Sequence, residues 1–258
     1  MATLETYGPF AALYDSFMEE TPYKEWIDYV YAILVEHNIT DGLLLELGCG
    51  TGRITEAFGT LGYDMIGIDI SEEMLEIAMD KARQNQSNSL YLLQDMREFE
   101  LYGTVGAVIS LCDSMNYILE REEMIEVVRL VNNYLDPKGL FIFDLKTDHY
   151  YKNVMGNKVF GDNKENGSFI WDNYYFEEEK INEYALTIFS KLENGLYEKS
   201  EEIHHQRAYD LEEIKSIIEA GGMEFVAAYG EGSKALPTKD CNRMYIVARE
   251  KGKTAMIE

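Results

Sequence analysis

An apolar run that leads into closely spaced glycines constrains the fold of this chain more than any other feature. Residues 43–47 read Leu-Leu-Leu-Glu-Leu, which is typical of a buried parallel strand, and residues 48–53 read Gly-Cys-Gly-Thr-Gly-Arg. The glycines indicate a turn whose backbone comes close to a ligand. A second apolar run ends at Asp69, about 20 residues after the first glycine, where nucleotide-binding sheets present a carboxylate to ribose hydroxyls. The run therefore predicts a site for an adenosine-containing cofactor.

The glycine positions separate this turn from two other nucleotide-binding motifs. A dinucleotide fingerprint has the pattern Gly-x-Gly-x-x-Gly, but here Arg53 stands at the third position and the extra glycine, Gly52, comes one residue early. Glu46 precedes the turn, and its carboxylate would repel a pyrophosphate but attract a ligand that carries an ammonium and a sulfonium. No Gly-Lys-Ser/Thr follows, so the turn is not a phosphate-binding P-loop.

The pattern Glu46-x-Gly48-x-Gly50-x-Gly52 resembles the first motif of the class I methyltransferases that use S-adenosylmethionine. The resemblance is specific over residues 43–116. Beyond them it is looser and is to the branch that includes sugar N-methyltransferases and glycine N-methyltransferase-like enzymes. It implies an α/β fold, with a Rossmann-like, doubly wound sheet of seven strands, the last antiparallel, and an inserted antiparallel β cap.

The order of apolar runs along the chain agrees with that fold. Strands are predicted at residues 43–47, 63–69, 89–93, 105–111 and 140–145, with helices between them and a turn at residues 136–139. After Thr147 the helical period stops, and residues 168–176, 181–192 and 196–206 alternate as strands, with a hairpin turn at Asn194-Gly195. The prediction is a cofactor-binding domain with an N-terminal helical lid, residues 1–147 and 208–258, and a substrate cap, residues 148–207.

The resemblance also implies roles for the residues at the strand ends. The glycine turn would line the methionine end of the cofactor, and Glu46 would hold its ammonium, directly or through water. Asp69 would accept hydrogen bonds from both ribose hydroxyls, Ile70 would pack on the adenine, and Asp95 with the Met96 backbone would bind the adenine edge. The predicted cofactor-binding residues are Tyr7, Tyr14, Glu46, Gly48, Gly50, Gly52, Arg53, Asp69, Ile70, Asp95, Met96, Leu111 and Cys112.

Aromatic residues recur near the N-terminus at helical spacing. Tyr7, Phe10 and Tyr14 lie three and four residues apart and can form one face that closes over the cofactor. Electron-rich rings near a sulfonium are favourable by about 0.5–2 kcal/mol. The same spacing also suits an aromatic core stripe, so both interpretations stay open.

The methyl acceptor is less constrained by the sequence. Displacement at an activated sulfonium depends mainly on alignment, and a hydroxyl acceptor needs a general base whereas an amine need only arrive unprotonated. The predicted catalytic candidates are His149, His205 and Tyr14, with His204 as a further base; since His204 and His205 are adjacent in a strand, at most one faces the cleft. The predicted acceptor pocket consists of Tyr117, Trp171, Tyr174 and Arg207. Because no base stands out, an amine nitrogen is favoured over oxygen.

Composition narrows the partners. The formal net charge of −24 would repel nucleic acid, and the strand end at residues 111–117 lacks the Asn/Asp-Pro-Pro-Tyr of enzymes that methylate base amino groups. There is no apolar stretch of about 20 residues and no secretory signal, and the three cysteines lack metal-ligand spacing. We expect a reduced, cytoplasmic monomer or homodimer that binds no metal and no membrane.

The sequence thus predicts a methyltransferase that uses S-adenosylmethionine and acts on a small molecule. Three alternatives stay open at this point. The first alternative is a methyltransferase that acts on tRNA or protein, and the second is a regulator that binds S-adenosylmethionine without catalysis. A nicotinamide dehydrogenase on the same sheet is the third, and Arg53 in place of the third fingerprint glycine argues against it.

Overall fold

The computed structural model describes residues 10–253, which form two β-sheets and the helices that pack on them. The helices are α1 (Ala11–Phe17), α2 (Tyr23–Glu36), α3 (Arg53–Thr60), α4 (Glu72–Asn85), α5 (Arg121–Tyr134) and α6 (Leu211–Ala220), with a 3-10 helix at Ser114–Tyr117 and a π-helical turn at Tyr150–Met155. The strands are β1 (Leu43–Leu47), β2 (Asp64–Asp69), β3 (Leu90–Leu93), β4 (Val105–Ser110), β5 (Leu135–Lys146), β6 (Val159–Lys164), β7 (Gly167–Phe176), β8 (Ile181–Lys191), β9 (Tyr197–Arg207), β10 (Glu224–Gly230) and β11 (Arg243–Arg249).

The main sheet has seven strands in the order β10-β11-β5-β4-β1-β2-β3. Strand β1 pairs in parallel with both β2 and β4, whereas β11 runs antiparallel to both of its neighbours. This confirms the predicted Rossmann-like sheet with an antiparallel last strand. The carboxyl ends of β1, β2, β4 and β5 therefore meet at one edge, where open α/β sheets bind ligands.

The apolar run of β1 is continuous because the strand is buried on both faces. Leu45 and Leu47 pack in the core on the side of α5 and α6, and Leu44 packs in the core on the side of α2 and α3. Each of these side chains is fully removed from water, which stabilises the fold by about 1.5–3 kcal/mol per residue. A rigid central strand thus holds the start of the glycine turn in place.

The second sheet has the order β6-β7-β8-β9, and every pairing in it is antiparallel. This confirms the predicted antiparallel insertion. Alternate residues of β9 are buried and exposed, as expected for a strand with one face toward the protein. That alternation decides which polar side chains of β9 enter the cleft between the two sheets.

One predicted boundary was wrong. The turn expected at residues 136–139 lies inside β5, which begins at Leu135. The pairing of β5 with β4 shifts register between Val105 and Ala107, and Lys138 adopts a left-handed φ of 66°. The Pro and Gly of this segment therefore mark a β-bulge rather than the end of a helix–strand connection.

We expect Gly52→Ala to lower the free energy of unfolding by about 2–4 kcal/mol. Gly52 has a φ of 74°, and a Cβ there would lie 2.4 Å from the Tyr91 hydroxyl and 3.0 Å from the Ala78 Cβ. Gly50→Ala is the matched control: its φ is 53°, but the space around it is open, so only the backbone strain of about 1–2 kcal/mol applies. Urea denaturation of both variants measures the difference, and equal losses would contradict this assignment.

Candidate functional site

Two adjoining cavities open at the carboxyl edge of the main sheet. The first, which we call the glycine-turn cavity, is lined by eleven of the thirteen predicted cofactor-binding residues: Tyr14, Glu46, Gly48, Gly50, Arg53, Asp69, Ile70, Asp95, Met96, Leu111 and Cys112. Of the other two, Gly52 packs against Tyr91 instead, and Tyr7 lies outside the described residues. The second, the inter-sheet cavity, lies between this edge and the second sheet. Both cavities share Tyr14, Cys112 and Tyr117.

Asp69 is held in a fixed orientation at the end of β2. The Gly50 N–H donates to its Oδ2 at 2.7 Å, and the Ser71 N–H donates to its Oδ1 at 2.9 Å. Burial raises the pKa of Asp69 above its ordinary value, although the backbone donors oppose this shift. Each carboxylate oxygen can accept a further hydrogen bond, so the side chain can receive two hydroxyl groups without releasing the turn.

Glu46 is a buried carboxyl group that lines the same cavity, and only 1% of its surface is exposed. The Thr55 hydroxyl donates to it, and among residues 10–253 no lysine or arginine forms an ion pair with it. Burial raises the pKa of Glu46 to about 8, and the negative charge of Asp69 adds to this rise. A cationic group of a ligand in the cavity would therefore stabilise the ionised form.

The end of the cavity beyond Asp69 combines an apolar surface with a polar one. Ile70 is 60% exposed although it lines the cavity, which leaves an apolar surface for a flat ring. Asp95 accepts a hydrogen bond from the Arg97 N–H at 2.8 Å and from its guanidinium at 3.0 Å. Burial alone would raise the pKa of Asp95, but Arg97 outweighs it and the pKa is lowered. An adenine amino group would therefore have to share Asp95 with Arg97.

Helix α1 forms a wall of both cavities. The Tyr14 hydroxyl lies 3.8 Å from the Cys112 Sγ, and Asp15 accepts a hydrogen bond from the Thr51 hydroxyl at 2.8 Å and pairs with Lys81. Phe10, which precedes the helix, packs in a core with residues of the second sheet and also lines the inter-sheet cavity. Tyr14 lines both cavities and packs against the same core, so the structure does not separate the two interpretations that the sequence left open.

A buried ionic cluster that the sequence analysis missed lies beneath the inter-sheet cavity. Asp113 accepts hydrogen bonds from Arg243 and from Gln206, each at 3.0 Å, and Lys146 lies 3.7 Å away. Burial alone would raise the pKa of Asp113, but Lys146 and Arg243 outweigh it and lower the pKa. The sequence could have indicated this cluster through the positions of its residues along the chain. Asp113 and Lys146 lie where β4 and β5 end, and Arg243 lies where antiparallel β11 begins, all at the same edge of the sheet.

The backbone at the junction of the cavities is strained. Cys112 and Asp113 both have left-handed φ angles, 62° and 56°, which non-glycine residues rarely adopt. Such positions cluster at functional sites, where the surrounding structure holds them in place. Here Arg243, Lys146 and Gln206 hold the Asp113 side chain, and Cys112 lines the wall that the two cavities share.

Several predicted catalytic and acceptor residues lie outside both cavities. His205 and Tyr174 are on the outer face of the second sheet, since the neighbouring positions His204 and Tyr175 are buried and side chains alternate along a strand. His149 interacts with Asn153 and with Asp240 rather than with the cavities.

Arg207 pairs with Glu213 at 2.8 Å, also away from the cavities. Neither cavity is thus lined by His149, His205, Tyr174 or Arg207, whereas Tyr117, Trp171 and His204 do line the inter-sheet cavity.

Comparison with known proteins assigns the fold to a family. A family model described as a methyltransferase domain matches residues 44–139. The Bacillus subtilis protein YqeM, whose name assigns it to the methyltransferases provisionally, is 32% identical over 96% of this chain and 98% of its own length. An S-adenosylmethionine-dependent methyltransferase from Clostridium acetobutylicum is 26% identical, with a TM-score of 0.84 over 96% of this chain and 100% of that chain.

A more distant structure shares the whole fold. The sugar N-methyltransferase KedS8 from Streptoalloteichus superposes with a TM-score of 0.74 at 17% identity, over 96% of this chain and 94% of its own. Together with the sheet order and the glycine turn, these similarities show that the chain belongs to the class I S-adenosylmethionine-dependent methyltransferases. Within residues 10–253, there is no helix of a length and apolarity that would span a bilayer and no cluster of three metal-ligating side chains.

Proposed function

We propose that the glycine-turn cavity binds S-adenosylmethionine and that the enzyme transfers the methyl group to a small molecule held in the inter-sheet cavity. The observation that carries this proposal is the junction of the two cavities at Tyr14, Cys112 and Tyr117. Two ligands bound in adjoining cavities meet at their shared wall, which is the geometry that direct transfer between them requires.

The residues of the glycine-turn cavity fit the cofactor along its length. Glu46 would hold the ammonium, the backbone of the turn would line the methionine portion, and Asp69 would accept from the ribose hydroxyls. Ile70 would cover one face of the adenine, and Asp95 with Met96 would bind its edge. The bound cofactor supplies a methyl group that the sulfonium already activates.

The inter-sheet cavity suits a small methyl acceptor, and we favour an amine nitrogen over oxygen as the methylated atom. Its walls are rich in aromatic rings, contributed by Phe10, Phe17, Trp26, Phe169, Trp171 and Tyr184, which suit a compact organic molecule. The Trp171 Nε1 is buried and has no hydrogen-bond acceptor within residues 10–253, so it can donate to an acceptor oxygen. KedS8, which shares the fold, acts on a sugar nitrogen, and residues 148–207 would form the corresponding substrate cap.

A turnover assay with pooled acceptors tests this function. Purified protein would be incubated with S-adenosylmethionine and separate pools of aminosugar nucleotides, aliphatic amines, phenols and hydroxy acids, and S-adenosylhomocysteine release would be measured. The proposal expects turnover with at least one pool, and an amine pool first. Turnover only with tRNA or a protein, or cofactor binding without any turnover, would favour the alternatives.

The cytoplasmic location and the monomeric or homodimeric state stay predictions.

The contacts of α1 predict how the cofactor is retained. Asp15 joins the helix to Thr51 of the glycine turn and to Lys81 of α4, so breaking these contacts would loosen the wall of the cavity. We expect Asp15→Asn to increase the dissociation rate of S-adenosylhomocysteine several-fold, as measured by stopped-flow tryptophan fluorescence. Asp28→Asn is the control, because its ion pair with Lys24 is exposed and lies within α2. An unchanged dissociation rate would show that α1 does not gate the site.

A further inference from the structure

Three polar side chains form a continuous hydrogen-bonded chain that ends at the junction of the two cavities. The Tyr117 hydroxyl lies 3.3 Å from the Nδ1 of His204, and the Nε2 of His204 lies 3.1 Å from a carboxylate oxygen of Glu202. We propose that Tyr117, His204 and Glu202 form a proton relay that removes the proton from the acceptor's nucleophilic nitrogen or oxygen. This inference rests on the proposed function, since Tyr117 faces both cavities.

Strand β9 of the second sheet carries two members of this hydrogen-bonded series, Glu202 and His204. Residues 202, 204 and 206 are alternate positions of β9, and all three side chains are buried, with His204 2% and Glu202 1% exposed. Gln206, the third member of this face, donates to Asp113 at the end of β4. The inner face of β9 thus rests on the edge of the main sheet, and its polar residues are shielded from bulk water.

Tyr117, the third member of the proposed relay, is fixed by its neighbour in the 3-10 helix, Asn116. The Asn116 side-chain amide donates to the carbonyl oxygens of Lys146 at 3.1 Å and Arg207 at 2.8 Å, and its oxygen accepts from the Lys146 N–H at 2.9 Å. Asn116 is fully buried, so these bonds join the ends of β5 and β9 to the 3-10 helix. Tyr117 is therefore held against His204, and their rings meet edge to face with centroids 5.9 Å apart.

The proposed relay requires one arrangement of protons along these hydrogen bonds, with Glu202 as a carboxylate. One oxygen of Glu202 accepts from the Phe10 N–H at 3.1 Å, and the other lies beside the Nε2 of His204. An ionised carboxylate only accepts, so it holds the imidazole proton on Nε2. The Nδ1 lone pair then remains to accept the Tyr117 hydroxyl proton. A buried carboxylate that orients a histidine toward a hydroxyl is the arrangement that general-base catalysis uses in other enzymes.

The proposed transfer conserves protons and charge. As the acceptor nitrogen or oxygen loses its proton, that proton bonds to the Tyr117 oxygen, and the proton of the Tyr117 hydroxyl moves to the Nδ1 of His204. His204 becomes an imidazolium that the Glu202 carboxylate stabilises. The acceptor lone pair that is released is the nucleophile for the methyl group. Return of the proton to water after product release resets the relay.

Most other charged groups that face the same cavity are paired with one another or are exposed to water. The acidic and basic residues that line it, apart from the relay, are Asp113, Lys146, Asp162, Glu231 and Arg243. Lys146 and Arg243 neutralise Asp113 and its buried neighbour Asp144, and Asp162 lies 3.7 Å from Lys164 at the exposed edge of β6. Glu231 is exposed in the turn that follows β10. The other tyrosines and the thiol that line the cavity are Tyr14, Tyr150, Tyr184 and Cys112, and burial raises the pKa of the Cys112 thiol.

Nuclear magnetic resonance of the imidazole rings tests the relay without an acceptor. The chain has four histidines, so the ring nitrogens of ¹⁵N-labelled protein saturated with S-adenosylhomocysteine can be assigned. We expect His204 to be neutral with its proton on Nε2, and Tyr117→Phe to shift the Nδ1 resonance while His205 stays unchanged. A proton on Nδ1 of His204, or a resonance indifferent to Tyr117→Phe, would overturn the proposal.

The pH dependence of turnover separates a relay from a structural role. Using whichever aminosugar nucleotide or amine pool the wild type methylates, we expect His204→Gln and Tyr117→Phe to lower kcat about 10²- to 10⁴-fold at pH 7. The deficit should shrink as the pH approaches the pKa of the acceptor, since solvent then removes the proton. His205→Gln is the matched control, because His205 is exposed and bonded to Glu183 on the outer face.

A deficit that is equal at every pH would overturn the relay even if the variants were less active. The failure of the relay is also distinguishable from the failure of the proposed function. If the wild type turned over no pool at all, the proposed function would fail, and the imidazole resonances alone would decide whether the hydrogen-bonded chain exists in the orientation described.

Discussion

Replacement of Asp69 by alanine is expected to weaken S-adenosylmethionine binding by at least about 100-fold. Two hydrogen bonds from ribose hydroxyls to a carboxylate contribute about 1.5–3 kcal/mol each, so the loss of both lowers the affinity by about 100-fold or more. The variant also removes the acceptor for the Gly50 and Ser71 N–H groups, which loosens the glycine turn itself. Calorimetric titration of both proteins with S-adenosylmethionine measures the change.

Two controls isolate the role of the carboxylate. Asp64→Ala alters the exposed, opposite end of the same strand and should leave the affinity unchanged. Asp69→Asn keeps an acceptor oxygen for one of the two backbone donors but loses the charge, so its affinity should fall between those of the wild type and Asp69→Ala. An affinity of Asp69→Ala within tenfold of the wild type would contradict the assigned role of Asp69.

Binding of the cofactor is expected to release about one proton per molecule at pH 7, and this release should approach zero above pH 9. Burial raises the pKa of Glu46 to about 8 in the cofactor-free protein, so the carboxyl group is mainly neutral at pH 7. A cofactor ammonium beside it favours the ionised form, and the proton leaves. Calorimetry in buffers with different heats of ionisation counts the protons released.

The variant Glu46→Gln provides the baseline for this experiment. It keeps the shape of the side chain but cannot ionise, so it reports only the protons that come from the ligand. We also expect it to bind the cofactor about ten- to a hundredfold more weakly, because a charged hydrogen bond is lost. A proton count identical to that of the wild type would show that Glu46 does not meet the ammonium.

The same carboxyl group links stability to pH in the cofactor-free protein. Its pKa is raised on folding from an ordinary 4.5 to about 8, so the folded state binds the proton more tightly than the unfolded state does. The stabilisation is therefore full below about pH 4.5 and is lost as the pH rises through about 8. The free energy of unfolding of Glu46→Gln should fall less steeply across this window than that of the wild type.

Most of the main sheet could be predicted because its signals are local. The apolar run of β1 reflects burial on both faces, and the glycine turn and Asp69 occupy fixed positions relative to β1 and β2. The bulge in β5 was missed because Pro137 and Gly139 are also the residues of a turn. Only the pairing with β4, in which Val105 faces Leu135 and Ala107 faces Leu140, shows that the strand continues through them.

The inter-sheet cavity could be predicted only in part, because its residues meet through tertiary structure. Side chains alternate between the two faces of a strand, so a shift of one residue changes which of them faces the cleft. His204 therefore lines the cavity, whereas the predicted His205 does not. The ion pair of Asp113 and Arg243 joins residues 130 positions apart. Nothing local in the sequence connects them, although both lie at strand ends on the ligand-binding edge.

The most direct test of the central claim is a calorimetric titration of the wild-type protein with S-adenosylmethionine, S-adenosylhomocysteine and NAD. The account predicts binding of the first two at one molecule per chain with micromolar affinity and no binding of NAD, since Glu46 and the glycine spacing suit a cation rather than a pyrophosphate. Binding of NAD, or no binding of S-adenosylmethionine, would contradict it.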